Sequence, residues 1–337
     1  MIDGLKKLTE GADLTEDEAK AAMKVMMGGE ADHVDVAAFL VALKMRGEAP
    51  HEIAAMAKVM REYAVKIEPN VKGTLVDMCG TGGDSSGTFN ISTGAMFVVA
   101  AAGVPVAKHG NRGITSKCGS ADVLEALGAK IDLPPEKTCS CIEEVGVGFM
   151  FAPAYHPAMK HVMPVRKQLG IRTVFNILGP LTNPAGAQAQ VMGVFDPGLT
   201  EKIAEVFRIL GLKRAFVVNG YPSLDELSTL GPTKVSELDG GTIRTYSFTP
   251  TAFNFHKADI KDLRGGDPKE NAQIVKGILE GKIKGPKRDI VVLNAAVGLV
   301  AGEAANDLST AVKMSQEVLD SELASDKLEE YVGYTRS

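Results

Sequence analysis

Residues 75–88, LVDMCGTGGDSSGT, decide the fold. LVDM is a short apolar run that reads as a strand, and it empties into a loop where Gly80, Gly82, Gly83 and Gly87 fill four of eight positions. Such a loop lets backbone N–H groups approach an anion closely, and the N-terminus of the following helix adds its dipole. Two familiar phosphate motifs fail here. The dinucleotide pattern needs glycine where Ser85 stands, and a P-loop read from Gly82 to Gly87 lacks its lysine because Thr88 follows directly. A glycine-rich turn with no ligand is the bland alternative for an isolated run of this kind.

The continuation argues for a ligand. Asn90, Ser92 and Thr93 place amide and hydroxyl donors at the start of an apolar helix, TGAMFVVAAAG, over 93–103. A second short strand, 104–107, runs into Lys108-His109-Gly110-Asn111-Arg112, with Thr115, Ser116, Lys117 and Ser120 beyond. Taken singly, His109 could be a core histidine and Lys108 or Arg112 a solvated charge. Interleaved with Gly and Asn at a strand end, they read together as an anion site. In a parallel sheet the loops after successive strands meet at the carboxyl edge, so the two polar loops should face one another and suit a ligand with more than one phosphate.

Outward from this core the pattern alternates. Ser120 is expected to cap the helix ADVLEALG, and QAQVMGVF (188–195), LTEKIAEVFRIL (199–210), AFVVNG (215–220) and IVVLNAAVGLVAG (290–302) follow. Strand and helix patterns in alternation predict an α/β domain with a mainly parallel central sheet flanked by helices. Residues 1–69 read as helices only. Thr15 and Glu18 form a capping box ahead of a helix that stops at Gly28-Gly29. Val36, Phe39, Leu40 and Leu43 share one helical face, and Pro50 opens a helix that turns Ile53, Met56, Ala57 and Met60 inward. The expected organisation is a small helical domain, 1–69 with the Pro- and Gly-rich connector 164–184, hinged to an α/β domain of 70–163 and 185–337.

Bulk properties exclude some classes. The chain has 337 residues, no Trp, 5% aromatics and a net charge of −5. A surface for nucleic acid or anionic lipid shows the opposite balance, so anions must be held by local donors, with a metal assisting. Four cysteines in a chain this long, with no second cluster at metal-ligand spacing, read as reduced thiols. No stretch is apolar enough to span a bilayer, and a cytoplasmic location is expected.

A second chemical signal is Asp225-Glu226, after the strand AFVVNG and a Pro-containing turn. Adjacent carboxylates at a strand's carboxyl end can hold Mg²⁺ that bridges phosphate oxygens. Most acidic doublets are solvated, as Glu143-Glu144 and Glu329-Glu330 read here. Neighbouring side chains diverge, so this pair suits two ions better than a clamp on one.

CGTGGD, NIST, KHGNR, GSADVLEALG, PVRKQLGIRTVFNILGPLTNPA and LDELS together resemble the anthranilate phosphoribosyltransferases, enzymes of the second step of tryptophan biosynthesis. The resemblance runs over nearly the whole chain, and 164–184 is its most specific part. It implies transfer of phosphoribose from 5-phosphoribosyl 1-diphosphate (PRPP) to the amine of anthranilate. By motif position, Gly80, Gly83, Asp84, Thr88, Asn90, Ile91, Ser92, Thr93, Lys108, His109, Gly110, Asn111, Arg112, Gly113, Ile114, Thr115, Ser116 and Ser120 would line the PRPP site. Ser92, Asp225 and Glu226 would ligate Mg²⁺, two ions per subunit, while Gly80, Asn111, His156 and Arg166 would meet anthranilate. A homodimer through the helical domain is also implied. No catalytic base is assigned; His109 is the one candidate for relaying the amine proton. The usual HGADGLDE turn is here Asn219 to Glu226, NGYPSLDE, which keeps the acids and loses the His and the Asp-Gly.

Three rival functions remain at this point, one of them a promiscuous transferase accepting other aromatic amines. A pyrimidine nucleoside phosphorylase on the same scaffold would need pockets for one phosphate and a base. A non-catalytic nucleic-acid-binding relative would want a basic groove and stacking aromatics.

Overall fold

The computed structural model describes residues 2–84, 86–113, 117–256 and 258–337. The chain opens with four helices, α1 (Ile2–Thr9), α2 (Glu16–Gly28), α3 (His33–Arg46) and α4 (Pro50–Glu62). Their ends follow the local chemistry. The Thr15–Glu18 capping box forms, Gly29 ends α2 at φ 74°, Asp32 caps α3 through Val34 N–H, and Pro50 takes the first position of α4. Glu52, fully buried, accepts from Leu14 N–H (2.8 Å) and Ala49 N–H (2.7 Å) and pairs with Arg46. The inward faces foreseen for α3 and α4 are buried.

The α/β part then alternates as expected: β1 (Val76–Gly80), α5 (Ile91–Ala101), β2 (Val106–Gly110), α6 (Ser120–Ala126), α7 (Pro135–Val145) and β3 (Val147–Phe151). The chain continues through α8 (Ala152–Tyr155), α9 (Met163–Leu169) and α10 (Phe175–Leu178) to β4 (Ala189–Gly193), α11 (Leu199–Leu210) and β5 (Arg214–Gly220). It ends with β6 (Thr233–Asp239), β7 (Thr242–Phe248), α12 (Pro268–Leu279), α13 (Pro286–Ala301), α14 (Leu308–Asp320) and α15 (Leu323–Arg336).

The strands form one sheet of order β3-β2-β1-β4-β5-β6-β7. From β3 to β5 it is parallel, and β6 and β7 extend it antiparallel. Gly80 pairs with Gly193 and Gly110 with Phe151, so β1 to β4 all end at one edge. Alternating side chains feed two cores. Val191, Phe216 and Val218 face α5, α12, α13 and α14, whereas Met192, Ala215 and Val217 face α11 and the N-terminal helices. Val165, Val174, Phe175 and Leu178 of the 164–184 segment join the second core. Among the described residues no helix is long and apolar enough to cross a membrane.

Two local expectations are corrected. The second strand runs to Gly110, so Lys108 and His109 are strand residues held in the ladder with β3, not loop residues. Ser120 is the first residue of α6 rather than its cap. Asp122 caps from inside the helix, accepting Gly119 N–H at 2.8 Å.

Candidate active site

The strand order changes direction at β1. The chain leaves it toward β2 and β3, then returns on its other side as β4. A switch of this kind opens a crevice at the carboxyl edge, where ligands of parallel sheets bind. The loop of Gly80 to Gly87 lies there, with Gly82, Gly83 and Gly87 at φ 65°, 77° and 67°, which favour glycine.

The acid turn sits directly on this edge. Gly82 N–H donates to Asp225 Oδ2 (2.7 Å) and Ser92 N–H to Glu226 Oε1 (3.1 Å). A side chain at Gly80 would collide with the Asp225 carboxylate, and one at Gly193 with the Asp225 main chain. Lys108, almost fully buried, donates from Nζ to Ser92 Oγ (3.2 Å) and to the Met78 carbonyl. The glycine loop, the start of α5, Lys108 of β2 and the acid pair therefore meet at one place.

The electrostatics of that place are unbalanced. Burial pushes both carboxyls of the pair above their usual range. The charge of Asp84 adds to the effect at Asp225, and that of Asp225 adds to it at Glu226, while Lys108 opposes it at Glu226. Asp84 Oδ2 is buried without a hydrogen-bond partner. An excess of enclosed negative charge fits a cation. Among the described residues no three His, Cys, Asp or Glu side chains cluster closely enough to hold a metal by themselves. Mg²⁺ ordinarily uses one or two carboxylates and takes its other ligands from water and phosphate oxygens, which matches this donor set.

The second loop folds back onto α6. Asp122 accepts Gly113 N–H (2.8 Å), Asn111 O accepts Ala121 N–H (3.2 Å) and Ser120 Oγ–H (3.3 Å), and Arg112 pairs with Asp122 (3.0 Å) and Glu125. Ile114, Thr115 and Ser116 lie outside the described residues. Asn90 ties the loops together: its Nδ2 donates to Cys118 O (3.2 Å), and its Oδ1 accepts from Asn271 Nδ2 (3.0 Å). Thr88 forms an isolated bridge to Arg264. Thr93 is buried in α5 and Ile91 begins that helix in the core.

Beside β2 lies a less polar corner. The His109 and His156 rings lie against one another, tilted by 52° with centroids 5.0 Å apart, and His109 Nε2 and both His156 nitrogens are buried without partners. Burial holds His109 down to about 3, with the neighbouring imidazole adding, and burial holds His156 down to about 4. Both rings are therefore neutral at physiological pH. Arg166, on α9, lies over the Phe175 ring at 5.4 Å and makes no ion pair among the described residues. No described hydrogen bond or ring contact joins Arg166 to the histidines or to the glycine loop.

The sequence reading missed residues that hold this crevice. Arg172, six positions beyond Arg166, lies 4.0 Å over the Phe195 ring and donates to the Gly83 carbonyl, tying the connector to the glycine loop. Its place in a segment already singled out as specific was the available signal. The altered turn is tied down by its own residues. Asn219 Nδ2 donates to Val194 O (2.7 Å) and Ser223 Oγ to Phe195 O (3.1 Å). Asn271, a lone buried amide in an apolar helix face, was a weak signal at best.

A switch-point crevice with backbone donors, enclosed acids and a buried lysine defines a phosphate-handling α/β enzyme. Two family profiles match the chain: "Glycosyl transferase family, helical bundle domain" over residues 2–64 and "Glycosyl transferase family, a/b domain" over 72–325. The anthranilate phosphoribosyltransferase of Methanocorpusculum labreanum is 55% identical over 328 residues, 97% of this chain and 96% of that protein. The crystal structure of the Thermus thermophilus enzyme of that name superposes with a TM-score of 0.94 at 47% identity, covering 99% of this chain and 100% of the other. The Saccharomyces cerevisiae enzyme, solved with PRPP and Mg and separately with 4-fluoroanthranilate, superposes with TM-scores of 0.89 and 0.88. Its identities are 27% and 26%, with coverage of 99% of this chain and 97% of that one. The chain belongs to the anthranilate phosphoribosyltransferase family.

Proposed function

We propose that the chain transfers the phosphoribosyl group of PRPP to the amine of anthranilate, giving N-(5-phosphoribosyl)anthranilate and pyrophosphate, the second step of tryptophan biosynthesis. The observation that carries this reading is the convergence of Gly82, Ser92, Lys108, Asp225 and Glu226 at the switch point. In the reaction the anomeric C–O bond to pyrophosphate breaks with its electron pair leaving on the pyrophosphate oxygen, an N–C bond forms, and the amine gives up one proton to solvent.

The amides of the glycine loop, the hydroxyl of Thr88, Asn90 and Lys108 would hold the phosphate oxygens in place as charge develops on the leaving group. In the described form Arg112 is engaged by Asp122 and Glu125; reaching PRPP would require it to leave them. Mg²⁺, held by Asp225, Glu226 and Ser92, would supply positive charge to the pyrophosphate. The two carboxylates point to different partners, Gly82 and Ser92, so the proposal keeps two ions per subunit; the stoichiometry of Mg²⁺ bound with PRPP tests it. Anthranilate needs no strong base, since its aromatic amine carries a free lone pair. Arg166 would pair with its carboxylate, and Gly80, Asn111 and neutral His156 would orient it. A neutral His109 ring can accept the amine proton as a hydrogen bond. Closure of the helical domain, taken as 1–69 with 164–184, on the α/β domain would exclude water as a competing nucleophile.

The test follows the fall of anthranilate fluorescence with PRPP and Mg²⁺ while each component is omitted in turn. Loss of signal only in the complete mixture supports the reading. Phosphorolysis of thymidine or uridine in its place would assign the chain to nucleoside phosphorylase chemistry.

A further inference from the structure

One buried polar group lies behind the acid turn. Asn294 is in the middle of α13, 1% exposed, between the fully buried Leu293 and Ala295. Its Oδ1 accepts Leu227 N–H at 3.0 Å, and its Nδ2 donates to Leu227 O at 3.0 Å and to Ile290 O at 2.9 Å. Both amide protons and the carbonyl are thus used. An amide buried among apolar side chains is unfavourable unless its bonds are made, and packing alone would be served by an alkyl side chain. What the amide adds is a grip on both polar groups of one residue.

That residue immediately follows Glu226. The N–H of Leu227 belongs to the peptide plane that starts at Glu226, so holding it restrains the backbone on the C-terminal side of the Cα from which the Glu226 side chain leaves. On the near side the turn is closed by Gly220 N–H to Leu224 O (2.9 Å) and moored by Ser223 Oγ to Phe195 O. Asp225 is pressed against Gly193, where no side chain would fit. Two rigid parts, β4 and α13, therefore grip the acid pair from either end.

We propose that Asn294 is a positioning residue for the divalent cation: it touches neither substrate nor metal, but sets the orientation of Asp225-Glu226 and thereby the affinity of the site. The inference rests on the reading that this pair binds Mg²⁺ with PRPP. Groups that orient metal ligands typically govern affinity by about 10- to 100-fold.

The experiment measures Mn²⁺ as a paramagnetic stand-in for Mg²⁺, with PRPP present, through the enhancement of water-proton relaxation. It compares the wild type, Asn294→Leu, and the double control Asp225→Asn with Glu226→Gln. Asn294→Leu should weaken Mn²⁺ binding by about 10-fold or more, while the anthranilate KM at saturating metal stays at the wild-type value. If the control loses the metal and Asn294→Leu keeps it, the proposal is overturned and the acid-pair reading stands. If the control also keeps the metal, the acid-pair reading itself is wrong. A parallel rise in the anthranilate KM would show a general loss of structure and overturn the specific role. Should Asn294→Leu fail to fold, exchange of the Leu227 amide hydrogen in the wild type decides. Protection with and without the metal supports the clamp, and exchange at the rate of an exposed loop overturns it.

Discussion

Asp225 and Glu226 stand with their acid forms favoured by burial, with the charge of Asp84 adding at Asp225 and that of Asp225 adding at Glu226. A raised folded-state value means the metal-free protein binds more protons here than the unfolded chain does, so this contribution to stability is present at low pH and fades as pH rises through the folded value. A cation competes with those protons. Mg²⁺ affinity measured with PRPP should therefore increase from about pH 5.5 to about pH 8, and a flat profile would count against the pair as ligands. The histidine pair has the opposite sign. With folded values near 3 and 4 against an ordinary 6.5, it binds fewer protons than the unfolded chain. Its contribution is complete above about pH 6.5 and is lost as pH falls toward those values, at a cost of several kcal/mol in total. His156→Gln should flatten the acid side of the melting-temperature profile relative to wild type; superimposable profiles would refute this. Arg166→Ala should raise the anthranilate KM far more than the PRPP KM, and an equal rise in both would remove Arg166 from the acceptor site. Residues of this kind were legible because their chemistry is local: a glycine loop, a lysine at a strand end and an acid doublet each carry meaning in their own few positions. Asn271 and Asn294 were not legible, because an amide in an apolar helix face acquires its partner only through packing with residues 181 and 67 positions away.

At the scale of elements, the helices announced themselves through caps and apolar faces, and both the Thr15–Glu18 box and the Pro50 start formed as read. The antiparallel end of the sheet was not foreseen, although its signal was present. Gly240 and Gly241, at φ 53° and 88°, link TKVSELD to TIRTYSF in a two-residue turn of the kind that joins hairpins. The sequence boundary of β2 fell short because Lys108, His109 and Gly110 look like loop residues until their pairing with β3 is seen. The element-level support of the site is testable at β4. Gly193→Ala would press a methyl group into the Asp225 main chain and should destabilise the protein by about 1–3 kcal/mol in urea unfolding, with weaker Mg²⁺ binding alongside. Unaltered values for both would show that β4 does not support the acid turn.

For the whole molecule, the helical unit shares its apolar core with one face of the sheet and with α11. Val34 and Met45 nevertheless stand 74% and 83% exposed on α3. A homodimer built through the helical unit would cover such a face, and the paired change Val34→Asp with Met45→Glu should convert it to monomer in sedimentation equilibrium; a monomeric wild type would end this expectation. The fold class could be inferred from strand and helix alternation, but the strand order could not. Whether β4 returned beside β1 or beside β3 depends on the 164–184 segment crossing to the second core, and no run of residues states that.

The crevice lies between β1 and β4, early and middle parts of the chain, yet its loops are moored by Asn271 on α12 and Asn294 on α13. During synthesis, the glycine loop and the acid turn therefore emerge from the ribosome long before the helices that hold them in place. A nascent chain arrested before residue 268 would display every signature sequence and still lack a competent centre. Activity should thus report completion of the C-terminal helical layer, and a protease cut there should silence it at a distance.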